Sequence, residues 1–327
     1  MRRGETWNGE TGAALVSALL LVAVMASVAM VLAGDLRFAM RRSANMDIRD
    51  QAYWYALGAR EFSETLLVRA MDDPGRALRP DADWLAGPRS FPIERGMLAG
   101  EIRDGNNCFN INGLVTRDAS GALIADNVQQ RRFEYLMSAL DIPAVEADRI
   151  AAQSVDWIDS DTRAVPGGGE DMLYPGYRTA NTLMAERAEL LALQAMTPEI
   201  YARLAPFVCT RPVAAPVPLN VNTLQVEQWP LLAAAFDGAL RRAGAEGLLI
   251  ARPSEGFANA EAFWALDAVR EHDPDAVRRE AVGIETRYFE IEIDVLHAGQ
   301  RFELETLVEY LGGREFRRLS QTYGSLT

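Results

Sequence analysis

The side chains best placed to do chemistry are carboxylates gathered around a flexible segment. Asp156, Asp159 and Asp161 precede Gly167, Gly168 and Gly169, and Glu170 and Asp171 follow. A loop of this kind can wrap several carboxylate and carbonyl oxygens around a hard divalent cation, which is the donor set calcium prefers. The spacing is not that of an EF-hand, and the terminal bidentate Glu of that motif is missing. On composition alone the segment reads as a solvated acidic loop. Asp156 adjoins Trp157 and can instead cap the preceding helix or face solvent.

Other chemistry finds less footing. His272 and His297 are the only histidines; one falls in a charged helix end and the other in a predicted turn, so both read as surface residues. The sequence contains no HExxH, no GxSxG and no zinc-ligand spacing. All 33 basic residues are Arg, which excludes a Schiff-base Lys and the P-loop Lys. Paired carboxylates could do acid–base work, but no second feature supports it. The stretch from Asn220 to Phe236 (NVNTLQVEQWPLLAAAF) is similar to the opening of a DNA-binding helix-hairpin-helix module. Its Gly-x-Gly hairpin is absent, with Asp237-Gly238 and Ala243-Gly244 as poor substitutes, and a net charge of −13 repels phosphate backbones. Tyr53, Trp54 and Tyr55 are consecutive, so a helix points them in different directions; they read as core rather than as a ligand platform.

The two cysteines, Cys108 and Cys209, lie outside any CxxC. They would be buried thiols in a reducing cytosol and one disulfide in an oxidising compartment. The N-terminal segment decides between these. From Ala13 to Ala33 no side chain is charged, and the run is long enough to cross a bilayer as a helix. It exceeds the apolar region of a cleaved secretory signal and follows a short polar leader carrying Arg2 and Arg3. The oxidised pairing Cys108–Cys209 is therefore expected.

No polar break follows. Helix formers continue to Asp72-Asp73-Pro74-Gly75, a cluster that stops helices. Ala52, Tyr55, Ala59, Phe62, Leu66 and Ala70 recur at helical spacing and predict one apolar stripe. Arg37, Arg41 and Arg42 lie beyond the apolar run and Arg2 and Arg3 before it, so charge asymmetry alone leaves the orientation open. Gly96–Arg103 predicts a short strand. In Tyr288–Val295, Phe289, Ile291, Ile293 and Val295 alternate with Glu290, Glu292 and Asp294, the period of a half-buried strand. His297-Ala298-Gly299-Gln300 predicts a hairpin turn and Arg301–Leu311 its partner strand. Between these, Val128–Leu140 and Ala144–Ile158 read as helices. The fold class is α+β: a long N-terminal helix packed on a small antiparallel sheet, with a large helical domain inserted.

The leader, the Gly before the apolar run and the two-part helix resemble a type IV prepilin. That resemblance implies cleavage by a prepilin peptidase between Gly12 and Ala13. It also exposes a departure, because Ser17 stands where such helices carry Glu at the fifth mature position. That Glu neutralises the N-terminal amine of a neighbouring subunit, and a subunit without it suits a filament tip. The missing Glu is similar to the minor pseudopilin K family of the type II secretion system. So are Arg49–Glu61 (RDQAYWYALGARE), Gly87–Gly113, Asp156–Asp161 (DWIDSD), Gly169–Tyr174 (GEDMLY), Met196–Cys209 and Pro218–Leu224 (PLNVNTL).

Membership would imply several things. Residues 1–12 would be the leader and 13–34 the transmembrane part. Residues 35–113 and 284–327 would form the pilin-like domain, with 114–283 inserted. The chain would be a single-pass protein of the bacterial inner membrane with its soluble part in the periplasm. It would cap the pseudopilus with the I and J components, dock on the inner-membrane secretion platform, initiate assembly and support export of folded proteins. The family's calcium binding turns the acidic loop into a metal site, with Asp159, Asp161, Glu170, Asp171 and Asn181 as ligands. A membrane-anchored DNA-uptake protein is the alternative, and an anchored hydrolase a third.

Overall fold

A computed structural model describes residues 9–73, 78–272 and 279–324. The leader arginines Arg2 and Arg3, the helix breakers Pro74 and Gly75, and part of the charged segment after His272 lie outside the described residues.

Helix α1 (Gly9–Ala70) runs for 62 residues, about 90 Å at about 1.5 Å per residue. Its apolar part is exposed throughout, from Leu15 to Met46. An apolar surface of this length, with no protein covering it, fits a single membrane anchor. Only the second half packs, and it does so on a small core.

The face that packs differs from the predicted stripe. Ala52, Ala56, Ser63, Leu67 and Met71 face the sheet, and Phe62 is 54% exposed. The side chains between explain the offset: Ala and Ser let the helix axis sit close to the sheet, and the bulkier Tyr55, Phe62 and Leu66 are turned to the flank. There they line an apolar groove with Trp84, Phe91 and Leu98. Trp54 is 67% exposed, which corrects its assignment to the core. Tyr53 meets Phe302 edge-on and Tyr323 at a tilt on the other flank.

The sheet begins with β1 (Arg89–Ile93) and β2 (Gly96–Asp104), an antiparallel hairpin. Pro92 sits in β1, an edge strand, where a missing ladder N–H costs least. The chain then leaves the sheet. Short strand β3 (Phe109–Asn110) is followed by β4 (Val115–Arg117) and β5 (Leu123–Ala125), which pair with each other. Helices α2 (Asn127–Ala139) and α3 (Ala144–Ile158) come next. Asp126 caps α2 by accepting from the Val128 and Gln129 N–H groups. Helix α4 (Pro198–Leu204) leads into β6 (Val208–Cys209), which pairs parallel with β3. Strand β7 (Leu219–Asn220), helices α5 (Trp229–Ala235), α6 (Arg242–Ile250), α7 (Ala260–Trp264) and α8 (Asp267–Arg270), and β8 (Val282–Gly283) complete the excursion. Its core is its own, centred on Phe133, Leu136, Ile150, Ile158, Leu232 and Phe236.

The chain re-enters the sheet at β9 (Tyr288–His297), continues through β10 (Gln300–Gly312) and ends at β11 (Glu315–Tyr323). The strand order is β1-β2-β9-β10-β11, antiparallel throughout. The alternation in β9 buries Phe289, Ile291, Ile293 and Val295 against α1. Ala298 and Gly299 both adopt positive φ, at 50° and 83°, as a two-residue hairpin turn requires. His297 is not a surface residue. It is 1% exposed, its Nδ1 lies 2.9 Å from the Glu94 carbonyl and its Nε2 2.9 Å from Gln51 Oε1, so it ties the end of β9 to α1.

The excursion leaves β2 and returns to β9 through a dense polar junction. Asn106 receives the Arg287 and Tyr288 N–H groups on Oδ1, and its amide donates to the carbonyls of Pro218 and Glu285. Asn110, Asn112 and Asn222 do the same for irregular backbone elsewhere in the junction, while Asn220 receives the Asn222 N–H and donates to the side chains of Asp104 and Thr286. Each supplies one acceptor and two donors, the complement of loop backbone with no ladder partner. This is the physical content of the GNNCFNING and PLNVNTL motifs. Arg211 is buried beside them, donating to the Gly105 carbonyl and to Glu290 Oε1 at 2.6 Å. Arg211→Ala should lower stability by about 3 kcal/mol, read as a shifted urea midpoint, because it strands a buried carbonyl and part of a carboxylate.

Candidate metal centre

The acidic segment is built on the end of α3. From Ile150 to Asp159 every residue is buried, so the end of this helix carries Asp156 and Asp159 inside the excursion rather than on its surface. Asp159 caps it, with its N–H on the Val155 carbonyl. Ser160 then pairs with Leu123 through its N–H and its side-chain oxygen, fixing the direction in which the loop leaves.

Asp159, Asp161 and Glu170 each offer a carboxylate oxygen, and these oxygens lie within 4.8 Å of one another. Asp159 is 4% exposed. Asp159 Oδ1, Glu170 Oε1 and Asn181 Oδ1 are buried and accept no hydrogen bond from the described protein atoms. Asn181 adopts a positive φ of 46°, and its N–H donates to the Trp157 carbonyl, which holds it beside the end of α3. Burial raises the Asp159 carboxyl to about 7, with Asp161, Asp156 and Glu170 adding repulsion. Burial also raises Glu170, again with neighbouring carboxylates contributing.

The remaining acids have other employment. Asp156 Oδ1 accepts from the Val165 N–H at 3.0 Å. Its Oδ2, also buried and without a hydrogen-bond partner among the described residues, lies against Gly168, where a Cβ would come within 2.1 Å of it and displace it. Asp156 thus organises the loop from inside. Asp171 is turned toward Thr179, accepting from its N–H at 3.0 Å and its hydroxyl at 3.1 Å, with Arg178 at 3.7 Å. The structure brings Asp159, Asp161 and Glu170 together and places Asp171 in that neighbouring set. Trp157, Tyr174 and Tyr177 form an aromatic floor nearby. Thr179, which also donates to Glu170, was not legible as part of the site.

The donor set is wholly oxygen: carboxylates and an amide carbonyl. Buried acceptors without donors cost free energy, as do crowded carboxylates, and a hard cation relieves both. The residues therefore fit calcium or a similar ion. The helical-hairpin region has the opposite character. Asp237 of its turn pairs with Arg132 at 3.1 Å, and Gly238 packs against the Tyr135 ring.

The family model for protein K of the type II secretion system matches residues 107–213 and 219–285. The type II secretion system protein K of Pectobacterium carotovorum subsp. carotovorum is 31% identical over 96% of this chain and 97% of that one. The chain belongs to the type II secretion system protein K family. The Aeromonas hydrophila relative is 33% identical over 77% of this chain and 78% of its own length. Among solved structures, a chain of the GspK–GspI–GspJ complex of the enterotoxigenic Escherichia coli type 2 secretion system superposes with a TM-score of 0.76. It is 27% identical and covers 87% of this chain and 99% of that chain. Protein K relatives thus span both the sheet and the excursion, including the stretch that carries Asp159, Asp161, Glu170 and Asn181.

Proposed function

We propose that the chain is the minor pseudopilin that forms the tip of a periplasmic pseudopilus, packing with I and J partners and initiating assembly for protein export. The observation that carries this reading is likeness to protein K over nearly the whole chain, including a solved complex with GspI and GspJ. The role is structural rather than enzymatic. A prepilin peptidase cuts between Gly12 and Ala13, in the exposed start of α1, and the soluble part faces the periplasm from the inner membrane, next to the secretion platform. Ser17, exposed in the apolar part of α1, offers no carboxylate to a subunit above. The bare apolar length of α1 and the groove around Phe62 and Phe91 supply surface for partner helices. The helical excursion blocks addition of a further subunit.

Two experiments test this. Replacing residues 114–283 by a short linker should leave binding to I and J intact but yield overlong pseudopili; pseudopili of ordinary length would refute the capping role. N-terminal sequencing of the membrane form should begin at Ala13.

Calcium belongs to the same proposal, held by Asp159, Asp161, Glu170 and Asn181, with Asp171 and Thr179 as their support. The ion would supply positive charge that the buried oxygens lack, stiffening the loop. Calcium at about a hundred times its Kd should stabilise the protein by about 2.7 kcal/mol, seen by calorimetry as a melting point raised by several degrees. Asp159→Asn should remove most of that rise. Identical melting in calcium and in chelator would reject the site.

A further inference from the structure

The arginines just beyond the apolar run have no work in the folded protein. Arg37, Arg41 and Arg42 are exposed on α1 and make no ion pair among the described residues. Arginines of the packed part behave differently: Arg211, Arg287, Arg301 and Arg317 each hold a carboxylate. Placement gives the three a common depth. The uncharged run from Ala13 to Ala33 is about 30 Å long as a helix, the thickness of a bilayer's hydrocarbon core. Arg37 then lies about 6 Å beyond it and Arg42 about 13 Å beyond, within the headgroup and adjoining interfacial water. Arg37 and Arg41 are one turn apart on one face, turned away from Asp35; Arg42 shares the face of Asp35 but lies about two turns beyond it, farther from the bilayer. Phe38, 70% exposed, sits between them at the level where aromatic side chains anchor spanning helices.

We infer that Arg37, Arg41 and Arg42 form a binding surface for anionic phospholipid headgroups in the leaflet where α1 leaves the bilayer. The inference rests on the single-pass reading of α1. Guanidinium groups match phosphate in a forked, charge-assisted geometry, and a phosphatidylglycerol headgroup carries that phosphate without a compensating cation. An arginine that holds one such headgroup favours it about fivefold over a zwitterionic one, and each of the three acts on its own lipid. The surface also accounts for arginines that the positive-inside rule leaves unexplained. A lifted tip subunit would have to shed these lipids, so the cluster holds α1 at a set depth until assembly overcomes it.

The test uses the full chain, made without prepilin peptidase so that residues 1–12 remain, in phosphatidylcholine bilayers containing trace spin-labelled lipid. Motionally restricted spin-labelled phosphatidylglycerol should exceed restricted spin-labelled phosphatidylcholine by about fivefold in relative association, and the excess should shrink in high salt. R37Q/R41Q/R42Q should bring the two lipids level, and R37K/R41K/R42K should keep most of the preference. Since all three side chains are exposed, the melting of the soluble part should be unchanged in both variants. Equal restriction of the two lipids around the wild-type chain would overturn the inference while leaving the membrane anchor intact; that is also the outcome if the cluster meets an acidic neighbouring subunit. A preference lost instead in R2Q/R3Q would move the surface to the opposite leaflet and overturn it as well. No restriction of either lipid would overturn the anchor together with the inference.

Discussion

Replacing Cys108 and Cys209 by serine should lower the stability of the folded protein by about 4 kcal/mol. The two sulfurs are bonded, with Cα atoms 5.8 Å apart and 101 residues between them in sequence. Cross-linking a loop of about a hundred residues removes about 4.7 kcal/mol of chain entropy from the unfolded state. The bond is placed where that restriction counts. It joins the start of the excursion to β6, whose two-residue ladder with β3 is too short to hold by itself. Both cysteines are nearly buried, so serine also leaves small polar groups in tight surroundings. The measurement is the urea midpoint of the double-serine variant against wild type, with an expected fall in melting temperature of about 7 °C. A loss below about 1 kcal/mol would mean that the asparagine network already closes this loop in the unfolded ensemble.

The second large effect centres on Asp104, the last residue of β2, which is buried at the junction of sheet and excursion. Its Oδ1 accepts from the Asn106 N–H at 2.8 Å, and its Oδ2 accepts from Asn220 at 3.1 Å and from the hydroxyls of Thr223 and Thr286. Asp104→Ala strands four donors at once and should cost about 3–5 kcal/mol. The pH dependence has a definite sign. Burial pushes the carboxyl up to about 6, although the Thr223, Thr286, Asn106 and Asn220 hydrogen bonds pull the other way. The native state therefore holds a proton that the unfolded chain, with a carboxyl near 3.8, has already released. The contribution is fully present below the unfolded value and is lost as pH rises through about 6. Over that window the wild type should lose up to about 3 kcal/mol relative to Asp104→Asn, which cannot titrate. Equal pH slopes for the two proteins would show that the hydroxyls hold Asp104 ionised throughout.

What the sequence made legible follows from the range of each interaction. The alternation in β9 and the continuous apolar run of α1 are local periodicities, and both elements stand where the pattern puts them. The disulfide followed from counting two cysteines once an anchor was recognised. The packed face of α1 lies one residue from the predicted stripe beyond Ala52, because helix period alone cannot distinguish a stripe of large side chains from the small Ala56 and Ser63 that let the axis approach the sheet. His297 looked like a turn residue because its partners, Gln51 and Glu94, are distant in sequence. The same holds for Asp104 and Arg211. In the acidic loop, composition alone reads as a solvated segment and the resemblance supplies the ligand set, of which Asp159, Asp161 and Glu170 converge. The turning of Asp171 toward Thr179 depends on a contact eight residues away that no spacing rule encodes.

The excursion between β2 and β9 has a mechanical meaning. These strands are hydrogen-bonded neighbours, and the Gly105 N–H still reaches the Tyr288 carbonyl at 2.8 Å after the chain has departed and before it returns. The whole excursion thus hangs from two adjacent points on one strand pair. Helix α1 packs on β2, β9 and β10. In the tip role proposed above, thrust delivered along α1 would pass into the five-stranded sheet by shear between packed surfaces, and the excursion would ride outside that line of force. There it could change size, bind an ion or meet another molecule without altering how the shaft is pushed.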